Sequence, residues 1–434
     1  MPRKIDRDHP DSPRSLPSPE RRELIKALPL LFLVEPAQRI VLGATGGRAP
    51  EPGQSPSAPS RSPAQPRRSL RRAFDKLRSG RTVTLGFLGE SLSAGDGASQ
   101  AERTSMRALV TQWIRKTFPQ ARLEAINAAV SGTDSLYGTL RLRRDLLAHK
   151  PDLVIVEFLR QDTRREEKAV QKSIEGILRQ LLILPQPPEV LLVYPAPSPL
   201  ETLPVAWHEQ LASYYGIPSL DLGPDAIQAL RAGEFQASQF WAQPEGLLGE
   251  DGGLTDLGHR FCAERIIERL QAEAQLPPSP LARTLPLPLV SDELNYGEFR
   301  PLAELRSPLR PDPYWRLEAT SDRQLPTHLL VNDRPGAEIG TYFEGTVLGL
   351  TFLKGPDGGT FEVLIDGKPA LAPLTRIETY HPVRRLGMAL LPGGLSLGEH
   401  TLTLRLLPDR HPKSSGQKVR LGYLIVGGQR PEKL

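Results

Sequence analysis

The chain has 434 residues, enough for at least two domains, and its 39% hydrophobic content with 44 prolines fits globular units joined to extended stretches. Basic residues number 55 against 50 acidic, so the net charge is only +5, and much of the excess lies in the Arg-rich N-terminal region; nothing in this balance argues for nucleic acid binding. Cys262 is the single cysteine, which excludes an intrachain disulfide and a cysteine metal cluster, and no apolar run is long enough to span a bilayer.

In chain order, residues 1–20 and 48–68 are rich in Pro, Ser and charge. They lack the apolar surface that would offset ordering entropy, so residues 1–68 are expected to be largely disordered or extended. Between those stretches, "RRELIKALPLLFLVEPAQ" (21–38) begins with Arg21-Arg22 and resembles a twin-arginine export signal. Its apolar part ends at Glu35, so a short amphipathic docking segment is the plainer reading, and the compartment stays open between cytoplasm and export.

Order is expected from Ser69. A helix over 69–80 puts Leu70, Phe74 and Leu77 on one face and stops at Gly80. Strands and helices then alternate: strand 82–89, helix 104–118, strand 122–130, helix 136–150, strand 151–159, helix 166–184, strand 188–196, helix 205–216, strand 217–222 and helix 254–274. Apolar strands separated by helices predict a doubly wound, flavodoxin-like parallel sheet over residues 69–275. A Pro-rich linker is expected over 276–300. Beyond it, over 301–434, the texture is β. The stretches 340–355, 359–368, 398–409 and 419–428 alternate apolar and polar residues between glycine turns, which predicts an antiparallel, jelly-roll-like β-sandwich. Asp366-Gly367 reads as a hairpin turn.

In an open α/β sheet, ligand sites gather at the carboxyl ends of the strands. Four loops there carry distinctive residues: "FLGESLSAGDGAS" from Phe87, "INAAVSGT" from Ile126, "PDLVIVEFLRQD" from Pro151 and "GLTDLGH" from Gly253. Taken in order, these blocks resemble those of the SGNH (GDSL) hydrolases, which are serine esterases and acylhydrolases, over roughly half the chain. The resemblance puts Ser91 in the nucleophile position. It implies oxyanion donors from the Ser91 backbone, from Gly132 and from a side-chain amide, here Gln161 where the family has Asn. Residues 335–428 likewise resemble the sandwich that accompanies some SGNH-type carbohydrate esterases and related bacterial hydrolases, so carbohydrate binding is an expectation for that domain.

A serine hydroxyl needs a base, usually a His oriented by a carboxylate. Here the sequence departs from the family pattern. Glu90 stands before the serine where the family has Asp or Gly. In the last block, Leu254 through His259 match without a gap, which places the family's catalytic His on Gly253 and its Asp partner on Glu250. Asp256 and His259 have the same Asp-x-x-His spacing and form a candidate substitute dyad. In the family, however, that pair opens the last helix, and a structural role is the preferred reading. His208 reads as part of a polar helix face near the site.

Three readings follow. The first is an attenuated or inactive SGNH hydrolase of O-deacetylase lineage, with acylated carbohydrate or another small ester as ligand. The second is an active ester hydrolase with Ser91 as nucleophile and His259, Asp251 or a water as base. The third is a non-catalytic glycan-binding or scaffold protein. No metal-ligand cluster, phosphate loop or dinucleotide motif is present, so no cofactor is expected. Oligomeric state is not legible.

Overall fold

The computed structural model describes residues 66–196, 203–242, 253–279, 285–305, 313–391 and 393–428. The segments 1–20, 21–38 and 48–65 that the sequence sets apart lie outside the described residues, as do Glu250 and Asp251. Ordered contacts are present at Arg67 and Arg68, just before the first predicted helix: Arg67 pairs with Glu273, and Arg68 N–H donates to Gly216 O at 2.7 Å.

Five parallel strands make the first sheet: β1 (Val83–Gly89), β2 (Leu123–Asn127), β3 (Leu153–Glu157), β4 (Glu189–Tyr194) and β5 (Ser219–Asp221), in the order β2-β1-β3-β4-β5. This is the flavodoxin-like order, with its switch point between β1 and β3. Strands β1, β3 and β4 are buried at every position, which explains their unbroken apolar sequences. Successive side chains serve opposite layers. Leu85 and Phe87 of β1 join one core, while Leu88 joins the other.

The helices are α1 (Arg71–Arg78), α2 (Ser91–Ala94), α3 (Ala101–Thr104), α4 (Met106–Thr117), α5 (Ser135–Asp145), α6 (Leu159–Asp162), α7 (Glu167–Leu182), α8 (Val205–Tyr215), α9 (Gly223–Arg231), α10 (Ala237–Phe240) and α11 (Asp256–Glu273). Helices α1, α4, α9 and α11 cover one face of the sheet, and α5, α7 and α8 cover the other. Helices α1, α4, α5, α7, α8 and α11 lie where periodicity puts them, whereas α9 was not expected. The four-residue helices α2, α3, α6 and α10 are too short to carry a period and were not foreseen.

Eleven strands among the described residues make the second domain: β6 (Glu298–Pro301), β7 (Arg316–Ala319), β8 (His328–Asn332), β9 (Glu338–Glu344), β10 (Val347–Lys354), β11 (Thr360–Ile365), β12 (Lys368–Pro369), β13 (Arg376–Glu378), β14 (Arg385–Leu390), β15 (Glu399–Leu406) and β16 (Val419–Gly427). One sheet runs β14-β10-β16-β8-β7, with β6 also on β16. The other runs β12-β11-β15-β9, with β13 also on β11. All pairings are antiparallel, and residues of both sheets share one core that includes Leu350, Phe361, Leu404 and Leu424. The stretch 340–355 spans parts of two strands. The chain changes sheets at Gly345 (φ 142°), where a Cβ would lie 2.5 Å from Gly427 O. Asp366 (φ 51°) and Gly367 (φ 75°) form the expected turn between β11 and β12.

The connection between the domains is fastened down. Glu175 of α7 is buried and accepts N–H bonds from Leu289 at 2.5 Å and from Val290 and Ser291 at 2.7 Å. The domains then meet through α5. Tyr137 lies 5.0 Å from Phe299, which stacks on Tyr423 at 4.6 Å, and Tyr137 Oη donates to Gln324 O at 2.6 Å.

Candidate active site

β1 and β3 end side by side, with Gly89 opposite Glu157. Position 89 has no room for a side chain, since a Cβ would lie 2.7 Å from both Glu157 O and Ser93 Oγ. That close approach delivers Ser91 to the first position of α2, where it is 6% exposed. The turn after it is closed by Gly95 and Asp96, whose N–H groups donate to Ser91 O at 2.9 and 3.0 Å. Gly95, at φ 95°, takes the left-handed conformation that ends the turn.

Arg141 of α5 is fully buried and joins the first two blocks. It donates to Gly89 O at 3.1 Å and to Ala128 O. Four residues past Ala128, Gly132 adopts φ 71°, which favours glycine. Among the described residues, no backbone or side-chain group accepts from Gly132 N–H. From the sandwich side, Gln324 Nε2 reaches Ser131 O at 3.4 Å.

Gln161 lies on α6 and is 5% exposed, and its amide has no hydrogen-bond partner among the described residues. Its neighbour Asp162 ties the third block to the second: Ser135 N–H and Oγ both donate to Asp162 Oδ1 at 2.9 Å. Asp162 Oδ2 meets His208 Nε2 at 2.8 Å. His208 is therefore an interior residue, 2% exposed, and its polar face of α8 turns to Asp162 beside Gln161. A buried carboxylate needs a partner, and α8 supplies one.

The last block is shaped by Gly253. A Cβ there would lie 2.0 Å from Asp96 O and 2.2 Å from Asp96 C, so the backbone of the loop after Ser91 fills the space a side chain would take. His259 is fully buried. Its Nδ1 accepts Met106 N–H at 3.2 Å, which assigns the ring proton to Nε2, the donor to Asp96 O at 3.0 Å. Burial pulls the ring below the ordinary 6.5, so the neutral form is favoured. Asp256 accepts from Ser99 N–H at 2.8 Å, Ser99 Oγ at 2.5 Å and Thr104 Oγ1 at 2.6 Å, and these bonds hold it below the usual carboxylate range. Among the described residues, Asp256 and His259 share no hydrogen bond, and no histidine is hydrogen-bonded to Ser91.

Three carboxyls surround the start of α2. Glu90 curls back so that its Oε2 accepts Ser91 N–H at 2.8 Å. Burial pushes both Glu90 and Glu157 up. Asp96 is also raised by burial, against the opposing pull of the Ser131 hydroxyl, which donates to it at 2.7 Å, and of Arg160. Glu90 was noticed in the sequence only as a departure. Glu157 and Asp96 were missed, although an acidic residue closing the apolar run "LVIVE" was a usable signal. Among the described residues, no group of three or more His, Cys, Asp or Glu gathers as a metal site, and no helix is long and apolar enough to cross a membrane.

No family model matches this sequence, and no curated protein does. Among solved structures, a two-domain esterase (CEX) active on acetylated mannans, co-crystallised with mannopentaose, aligns over 84% of this chain and 97% of its own, at 22% identity and a TM-score of 0.68. A second structure of a two-domain esterase (CEX) active on acetylated mannans gives the same coverage and identity with a TM-score of 0.66. Axe2, an acetylxylan esterase from Geobacillus stearothermophilus, aligns over 45% of this chain and 95% of its own, at 14% identity and a TM-score of 0.37. The chain thus has the fold expected from its sequence, a parallel α/β domain followed by an antiparallel sandwich, and shares its overall fold with the two-domain esterase.

Proposed function

We propose that this chain is an attenuated or inactive descendant of SGNH ester hydrolases that retains its cleft to bind acylated carbohydrate. The observation that carries this reading is the filled space at Gly253. The position that would hold the general base has no side chain, and the Asp96 backbone stands where one would begin. His259 does not take over, because each ring nitrogen is already committed to a backbone group. Loss of the base alone costs roughly a millionfold in kcat in a serine protease, so the expected turnover is close to background. Retention of Ser91 and of a Gly132 N–H with no acceptor among the described residues supports a ligand related to the ancestral ester. The ligand class rests on likeness to the two-domain esterase that acts on acetylated mannans.

The test uses the full chain and its Ser91→Ala variant. Hydrolysis of p-nitrophenyl acetate and of acetylated mannan is measured alongside calorimetric binding of acetylated manno-oligosaccharides. The expected outcome is no rate difference between the two proteins and clear binding by both. Turnover that disappears with Ser91→Ala would overturn the assignment and return His259 or Asp251 to consideration as the base.

A further inference from the structure

Behind Ser91 lie two carboxyl groups for which ester hydrolysis has no evident use. Glu90, which caps α2, is 0% exposed, and Glu157, the last residue of β3, is 1% exposed. Glu157 Oε2 faces Glu90 N–H at 3.4 Å and Ser93 N–H at 3.3 Å, and Glu90 Oε2 takes Ser91 N–H at 2.8 Å. The remaining oxygen of each, Glu90 Oε1 and Glu157 Oε1, has no hydrogen-bond partner among the described residues. The two carboxyls thus converge on consecutive backbone amides, Glu157 on Glu90 N–H and Glu90 on Ser91 N–H.

Two ionised carboxylates held on consecutive amides and away from water repel each other strongly. A single proton held across the pair removes that repulsion and gives the orphaned oxygens a partner. The surrounding charges leave room for this. Arg160 of α6 favours the charged form of Glu90, and Asp96 on the following loop opposes it. Cys262 of α11 is buried, and burial pushes its thiol far up, so it stays neutral. Arg141 is committed to the carbonyls of Gly89 and Ala128.

We propose that Glu90 and Glu157 hold one proton between them, and that this pair is a positioning device that fastens Ser91 N–H to Glu90 and so closes the oxyanion position beside Ser91. The proposal rests on Ser91 occupying the nucleophile position. An oxyanion formed there would lose one of its donors and would face the charge left on the pair. The cleft is thereby suited to a neutral ester or hydroxyl ligand rather than to acetate or a tetrahedral anion.

The experiment compares the full-length natural protein with Glu90→Gly, Glu90→Gln and Glu157→Gln. Infrared spectra near neutral pH are expected to show the carbonyl band of a protonated carboxyl in the natural protein and to lose it in each Gln variant. With folded carboxyls raised above the ordinary 4.5, the native state holds a proton that the unfolded chain releases. Stability is then fully present below 4.5 and falls as pH rises through the raised value, and Glu157→Gln is expected to flatten this slope. In protein labelled with 15N-serine, the Ser91 amide should exchange about tenfold faster in Glu90→Gly than in the natural protein, as one hydrogen bond is worth. Added acetate should shift that amide only in Glu90→Gly.

Absence of the carboxyl band, or an acetate-induced shift of Ser91 in the natural protein, overturns the pair. Should Glu90→Gly fail to fold, the two Gln variants decide through the band and the pH slope. Hydrolysis of p-nitrophenyl acetate by the same proteins keeps the two readings apart. Ser91-dependent turnover by the natural protein defeats the proposed function whatever the spectra show, and a silent protein without the band defeats the pair alone.

Discussion

At position 253 the chain carries a hydrogen where a side chain would collide with the Asp96 carbonyl at 2.0 Å. The backbone of the loop after Ser91 occupies the space that a side chain at 253 would take. Gly253→Ala is expected to destabilise the protein by about 2 kcal/mol, the usual cost of forcing a carbon into a packed site, as read by urea unfolding. An unchanged midpoint would mean that the loop yields freely. By the same argument, restoring the family pair with Glu250→Asp and Gly253→His should not by itself create turnover, since the new ring has no place to start from. The alignment that sets Gly253 at the family's histidine position was legible in the sequence, from the ungapped match of Leu254 to His259. What fills its place was not, because Asp96 and Gly253 are remote in sequence and meet only through the fold.

At the scale of elements, periodicity located every strand of the first domain and every helix of eight or more residues except α9, since burial on one face or both writes itself into the sequence every few residues. It did not locate β6, β7, β8, β13 or β14, which are short and partly exposed. One pairing shows how such elements are held. Arg420 of β16 is 1% exposed and binds Asp357, in the β10–β11 turn, through two contacts of 2.8 Å, while its Nε reaches Glu318 of β7 at 3.1 Å. The Arg420 guanidinium pulls the Asp357 carboxyl down to about 2. A depressed carboxylate contributes stability that is present above 3.8 and lost as pH falls through about 2. Asp357→Asn leaves a buried guanidinium without its main partner and is expected to cost about 3 kcal/mol at neutral pH. The acid limb of the stability profile should flatten with it, and an Asn variant with the natural acid limb would place the titrating group elsewhere.

Across the whole molecule, the two domains share a core in which Tyr137 and Leu140 of α5 meet Phe299, Leu329, Tyr423 and Ile425. Arg144 of α5 also lies over the Tyr423 ring, 5.2 Å from its centre, and donates to the Tyr423 hydroxyl at 2.5 Å. With the connection pinned by Glu175 as well, a single calorimetric unfolding transition is expected for the described body. Tyr137→Ala should cost about 3 kcal/mol of coupling and packing and should split that transition into two. Two transitions already present in the natural protein would show that the shared core does not join the domains energetically.

By itself, the sequence determined the two architectures, the strand order class and the place of Ser91, because these follow from local periodicity, turn residues and blocks of adjacent positions. Only the tertiary structure decided what Ser91 has for company. Glu157 comes to Glu90 through the pairing of β1 with β3, His208 reaches Asp162 from α8, and His259 is spent on the backbones of Met106 and Asp96. Each of these contacts joins residues 46 or more positions apart, or strands whose partners no local pattern names. Burial then sets the chemistry, since a carboxyl or an imidazole has one character in water and another where every neighbour is fixed.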